Sequence, residues 1–285
     1  MSKIIAMANQ KGGVGKTTSA INLAACLAVA EKRTLLVDLD PQGNASVGLG
    51  LDKSQHEDGN IYHALIGKEP LKKAIYKTEL PHLDVAPSDN NLIGAEIELV
   101  SVLAREAKLK NALATVADDY DFIIIDCPPS LGLLTLNAFN AANGFIVPLQ
   151  TEYYAMEGLA QLMNTVRLIR SSLNPNLAME GILLTMFDSR VSLHKQVSEE
   201  IRNHFGSDVF ETIIPRNVKL SESPSFGKPV ILYDIESTGS KAYLSLAKEL
   251  LLRERTKAAQ KLEEKTLPDV PRIERLDQQL QSQLN

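Results

Sequence analysis

Cysteine is nearly missing from this chain: 285 residues hold two, Cys26 and Cys127, far apart in sequence. Cys26 lies in an apolar helical pattern and Cys127 just after a strand. Neither belongs to a cluster with metal-ligand spacing, and both are expected to be reduced, buried thiols. An excess of positive charge is missing too, with 30 Lys and Arg against 35 Asp and Glu and a formal net charge of −5. That balance excludes wholesale wrapping by nucleic acid, which draws on clustered cations. Any such surface has to be local, or made by pairing two subunits. Long apolar runs are absent: none reaches the ~18 residues of a membrane span, and the chain enters a strand pattern at once, without a basic-then-apolar leader. A cytosolic protein is expected.

What is present is a hydrophobic fraction of 44%, enough for one large α/β core. Strand-like runs fall at 3–9, 34–40, 83–88, 122–128, 144–150 and 181–187, with shorter ones at 209–215 and 229–234. Apolar residues at helical spacing fill 20–30, 93–116, 131–141, 156–169, 191–205 and 241–252. Strands apolar throughout, separated by helices, predict an α/β fold: a doubly wound, mostly parallel sheet with helices on both faces. Ligands of such sheets bind at the carboxyl ends of the strands. The compact domain is expected to span 1–253. The charged tail 254–285, broken by Pro268 and Pro271, is expected to be flexible or a short partner helix.

One stretch after the first strand, NQKGGVGKTT from Asn9 to Thr18, departs from the phosphate-binding loop G-x-x-x-x-G-K-[ST]. Gln10 stands where the first glycine belongs, and Lys11 follows it. The stretch still opens the first helix, so Gly12, Gly13, Val14 and Gly15 are expected to wrap their backbone round a phosphate chain at the helix's positive end. Lys16 is expected to contact the β- and γ-phosphates, Thr17 to place its hydroxyl on Mg²⁺, and Thr18 to donate near the α-phosphate.

Two acidic elements accompany the loop. In LLVDLDPQGN, Asp38 and Asp40 lie two apart and would share one face of an extended strand. Asp40 is expected to orient the attacking water; Asp38 either supports Mg²⁺ or Lys16, or caps the turn before Pro41. In FIIIDCPPS, four apolar residues deliver Asp126 to the sheet edge, the Walker B arrangement that holds Mg²⁺ through a water.

Together NQKGGVGKTT, VDLDPQGN, DCPPSLG, TMFDSR and IIPRNVKLSESPSFGKPV resemble the deviant Walker A ATPases of the ParA/MinD group, most closely the ParA-type, Soj-like partition proteins, over residues 3 to 252. The resemblance implies an ATP·Mg²⁺-driven sandwich homodimer in which Lys11 serves the partner's phosphates; pointing to solvent or serving its own site is the competing reading. Gly12 would lie at the dimer seam. It further implies nonspecific double-stranded DNA binding through Arg190 and Lys219, with Arg216 and Lys195 as further cations. A lysine at the second place keeps the charge but loses the bidentate fork. Met186, Pro215 and Asn217 would line the adenine pocket, unless Asn217 only forms a turn. Hydrolysis stimulated by a ParB-type centromere-binding partner would release the nucleoid.

Three other classes compete. A MinD-like membrane-associated regulator would use a C-terminal amphipathic helix; Ile273, Leu276, Leu280 and Leu284 have the spacing, but the polar face has few cations. A redox ATPase would need cysteines converging on an iron–sulfur cluster. A small-molecule ligase would need a second substrate pocket. A ParA-like ATPase positioning another cargo is a variant of the main reading. With the first strand near Lys3, no helix-turn-helix segment and hence no sequence-specific autorepression is expected.

Overall fold

The structure is a computed structural model that describes residues 2–266 apart from 53, 55, 58 and 154. Its strands are β1 (Lys3–Met7), β2 (Thr34–Asp38), β3 (Tyr76–Lys77), β4 (Leu83–Ala86), β5 (Phe122–Asp126), β6 (Gly144–Gln150) and β7 (Ala178–Thr185). Among the described residues they form one sheet in the order β3-β4-β2-β5-β1-β6-β7. Every pairing is parallel except that of the edge strand β3 with β4. This is the doubly wound, mostly parallel sheet that the alternation of apolar runs predicts.

The central strands are rich in Ile, Leu and Val because helices cover both of their faces; every residue of β2 and β5 is buried. Helix α1 (Lys16–Val29) packs against β1, β2 and β5. Its alanines, Ala20 and Ala24 among them, bring its backbone close to the sheet, and Leu23 and Leu27 fill the space between. Each such leucine contributes about 1.5–3 kcal/mol of burial. The register brings the ends of three strands together: Asp126 pairs with Met7 of β1 and with Asp38 of β2.

Several expectations are corrected. The run 229–234 is not a strand but a short helix, Val230–Tyr233. The Val230 N–H donates to Asn22 of α1 at 2.7 Å, and Val230 and Ile231 are buried, so the segment docks on a helix instead of the sheet. The run 209–215 lies beside β7 but makes only isolated bridges, Val209 to Ile182 and Pro215 to Phe187. The long helix expected at 93–116 is broken into Leu92–Glu98 and Lys108–Ala114, because Val102 is extended and Ala104 is left-handed at φ +53°. Strand β3, two residues long, has too little pattern to be seen in sequence.

The last helix is longer than the spacing at 241–252 suggests and runs Thr238–Thr266. The chain divides into two compact units, Met1–Ala247 and Lys248–Asn285, so the expected boundary near 253 falls within the second. That second unit is helical as far as it is described, with a Glu249–Arg253 pair at 2.8 Å one turn apart. Pro268, Pro271, Ile273, Leu276, Leu280 and Leu284 lie outside the described residues.

Candidate nucleotide site and basic surface

The loop between β1 and α1 owes its path to glycine. Gly13 and Gly15 take φ +73° and +84°, a left-handed conformation that side chains disfavour, and Gly15 is the N-cap of α1. Gly12 differs: a Cβ there would meet nothing within 4 Å, so nothing within the chain demands glycine. Asn9 fixes the loop's entry, donating to the Pro148 carbonyl at 2.8 Å and accepting the Lys11 N–H at 3.0 Å. Thr185, at the end of β7, donates to the Val14 carbonyl at 2.8 Å.

The two lysines of the loop are held differently. Lys16 is buried and its Nζ donates to the Lys11 carbonyl at 3.0 Å. Burial lowers its pKa, while the charges of Asp126, Cys127 and Asp40 act in the opposite direction. Lys11 is about half exposed, and its Nζ pairs with Glu152 just beyond β6.

The acids at the strand ends also separate. β2 stops at Asp38, so Asp38 and Asp40 do not share a strand face: Asp38 is buried in the sheet and Asp40 lies half-buried in the bend that follows. Asp38 accepts from the Ser46 hydroxyl at 2.7 Å, the Ser46 N–H at 2.8 Å and the Asp40 N–H at 3.2 Å. Burial still pushes its carboxyl up to about 6, against those hydrogen bonds. Asp40 is braced in the bend, its Oδ1 accepting the Gln42 N–H at 3.0 Å and its carbonyl accepting the Ser88 hydroxyl.

Asp126 is the exception. It is fully buried, and neither carboxylate oxygen finds a hydrogen-bond partner. Burial, then the charge of Asp38, raise its pKa well above the usual carboxylate range, while Thr17 and Lys16 stand near enough to oppose that. A buried carboxylate with two orphaned oxygens fits a cation. Among the described residues no three His, Cys, Asp or Glu side chains gather as a metal cage. That suits Mg²⁺, which is commonly held by one or two carboxylates, waters and substrate phosphates. Both cysteines are buried and unbridged. Burial pushes Cys26 up to about 12 and also raises Cys127, so both stay thiols.

Beside the loop opens a cleft of about 310 Å³, lined by Gly15, Thr18, Met186, Pro215, Asn217 and Tyr243 among others. Met186 adopts φ +52° there. Asn217 faces the cleft but its side chain is engaged: its oxygen caps the helix Val218–Glu222 through the Lys219 N–H at 2.9 Å, and its amide donates to Thr238 at 2.7 Å. The turn-forming role is therefore the one its hydrogen bonds serve.

The expected cations lie on the surface. Arg190 donates from Nε and Nη2 to the two Asp188 oxygens, at 2.9 and 2.7 Å, and remains 86% exposed. Lys219 pairs with Glu222 at 3.0 Å and sits 5.5 Å from the Tyr233 ring centre. Lys195, on the helix Ser192–Phe205, and Arg216 are exposed. Sequence reasoning missed Asn9, Ser46, Ser88, Glu152 and Thr185. Asn9 and Ser46 sit in or beside the motifs of the site and Thr185 opens TMFDSR, but Ser88, Glu152 and Thr185 act on the site from far along the chain.

A glycine loop that caps a helix and buries one lysine beside an orphaned strand-end carboxylate is shaped for a phosphate chain, and it defines the class: the P-loop ATPases. A family profile described as an AAA domain matches residues 2–179. The chromosome partitioning protein ParA of Myxococcus xanthus is 58% identical over 258 residues, 90% of this chain and 91% of that one. The sporulation initiation inhibitor protein Soj of Bacillus subtilis is 56% identical over 250 residues, 88% and 98% of the two chains. Among solved structures, cobyrinic acid a,c-diamide synthase from Mycobacterium smegmatis with bound ADP and magnesium superposes with a TM-score of 0.79 at 35% identity, covering 90% of this chain and 97% of that one. The chain belongs to the ParA/Soj family of chromosome-partitioning ATPases, within the deviant Walker A group.

Proposed function

We propose that this protein is an ATP-dependent DNA-partitioning ATPase whose working unit is a nucleotide-gated homodimer. The observation that carries the reading is the loop itself, which buries Lys16 beside Asp126 and leaves Lys11 at the surface. A surface lysine at the loop's mouth has a use in trans: it adds positive charge where the γ-phosphate of a second subunit carries most negative charge. The open space at Gly12 suits close approach of that subunit.

Within one site, Lys16 binds the β- and γ-phosphates and Asp40 orients the attacking water. Thr17 and Asp126 are the residues that would hold Mg²⁺, with Asp38 behind them; the ion, when bound, neutralises charge on the phosphates. Met186 and Pro215 line the adenine side. Arg190, Lys219, Arg216 and Lys195 hold the DNA backbone without reading sequence, weakly in one subunit and more strongly when pairing doubles their number. Hydrolysis, stimulated by a ParB-type partner, dissolves the dimer and frees the nucleoid. The protein is then cytoplasmic and nucleoid-associated; among the described residues no helix is long and apolar enough to cross a membrane.

ATP turnover measured with nonspecific DNA, with and without a ParB-type partner, tests the reading. Stimulation that needs both supports it; turnover indifferent to DNA sinks it. The 35% identity to a synthase gives a competing reading some footing. Turnover that depends on a small carboxylic acid instead of DNA would favour that one.

A further inference from the structure

Thr185 closes β7 and is 2% exposed, and its hydroxyl reaches the phosphate loop across 171 residues of sequence to donate to the Val14 carbonyl at 2.8 Å. In a trans peptide the C=O and the following N–H point in opposite directions. A Val14 carbonyl turned onto β7 therefore turns the Gly15 N–H away from β7. Gly15, at φ +84° and ψ 26°, has the left-handed conformation that aligns successive N–H groups into an anion-binding nest. Thr185 borders the loop at that residue: a Cβ added to Gly15 would stand 3.9 Å from both Cβ and Cγ2 of Thr185.

We propose that Thr185 is a positioning residue of the nucleotide site: its hydroxyl sets the Val14–Gly15 peptide plane so that the Gly15 N–H donates to a phosphate of the bound nucleotide. The proposal rests on the ATPase reading above. Without the hydroxyl the plane is free to rotate, and a nucleotide has to hold it at a cost in affinity. That cost falls on substrate and transition state alike, so it belongs in KM and not in kcat.

Thr185→Ser and Thr185→Ala make the decisive pair in the full-length chain, because both lose the methyl group and only alanine loses the hydroxyl. Thr185→Ala is expected to raise the KM for ATP and the Kd for ADP·Mg²⁺ about tenfold, as the loss of one buried hydrogen bond does. Its kcat stays within about twofold, and Thr185→Ser keeps both constants within about twofold of the unsubstituted chain. A second readout is the Gly15 amide proton resonance, which should move downfield on ADP·Mg²⁺ binding in the unsubstituted chain and in Thr185→Ser, and move much less in Thr185→Ala. Equal KM values and equal amide shifts for the serine and alanine variants would overturn the assignment. So would an equal loss in both, which would mark the methyl group's packing as the cause. Failure of the unsubstituted chain to bind or hydrolyse ATP is a different result: it sinks the ATPase reading itself.

Discussion

At the carboxyl ends of β1, β2 and β5, Lys16, Asp38 and Asp126 are all buried, and each depends on neighbours fixed by the sheet. Beyond β7, Arg190, Lys195 and Arg216 are exposed, and Arg190 and Lys219 pair with acids two or three residues away on their own stretches. Buried charges are costly to leave unmatched, so a strand-end site of this kind is specified by many contacts and tolerates little change. Exposed ion pairs are worth little, and a cation held by one can exchange its carboxylate for a phosphate at small cost. One region is suited to hold a single ligand in one geometry; under the proposed function the other holds a polyanion in any register.

Substitutions can break or sharpen that contrast. The largest effect is expected from Lys16→Ala, which removes the buried cation: ATP affinity by titration should fall by on the order of 100-fold or more, with all later steps lost. Near-normal ATP binding would show that the loop is not the phosphate site. Lys11→Ala comes next, with ATP binding kept within a few-fold, no nucleotide-dependent dimer by light scattering, and turnover lower by about 1,000-fold, as for a charge supplied in trans. Dimerisation that survives in Lys11→Ala would return that lysine to its own site. Asp40→Ala should lower turnover about 100-fold while a DNA-bound dimer accumulates, since only water activation is lost; rapid release from DNA would rule that role out.

On the basic surface the effects are smaller. Arg190→Glu should leave ATP-dependent dimerisation intact and weaken DNA binding, lowering the salt slope by about 1 per subunit; an unchanged salt titration would remove Arg190 from the interface. The smallest change is expected from Asp188→Ala, which frees Arg190 of its carboxylate. The melting temperature should hold, and DNA affinity should rise about twofold, in line with the small worth of exposed pairs. A drop in DNA affinity would instead mean that Asp188 aims the guanidinium at its target.

The nucleotide region was far more legible in sequence than the surface. NQKGGVGKTT follows a strand and opens a helix, and FIIID ends in its carboxylate, so local spacing alone put Lys16 at the start of the first helix and Asp126 at the end of its strand, where the structure has them. Legibility ended where a role depended on a distant partner. Asp38 and Asp40 look equivalent at a spacing of two, yet β2 ends at Asp38, and Ser46 takes up one acid while the other stands in the bend. The run PVILYD has strand composition but becomes a helix because Asn22 and α1 offer it a dock. The 93–116 segment keeps helical spacing across a break at Ala104, which no residue type announces.

By itself the sequence determined the class of fold, the phosphate loop and its extra lysine. Those features arise from local physics: apolar runs matched to strand and helix periods, and glycines that permit left-handed turns. The tertiary structure alone decided which carboxylate is orphaned, which lysine is buried, and that a threonine on β7 grips the loop after β1. Those outcomes come from hydrogen bonds and burial between residues up to 171 positions apart. Contacts of that kind leave no spacing for a sequence to display, because folding alone brings their partners together.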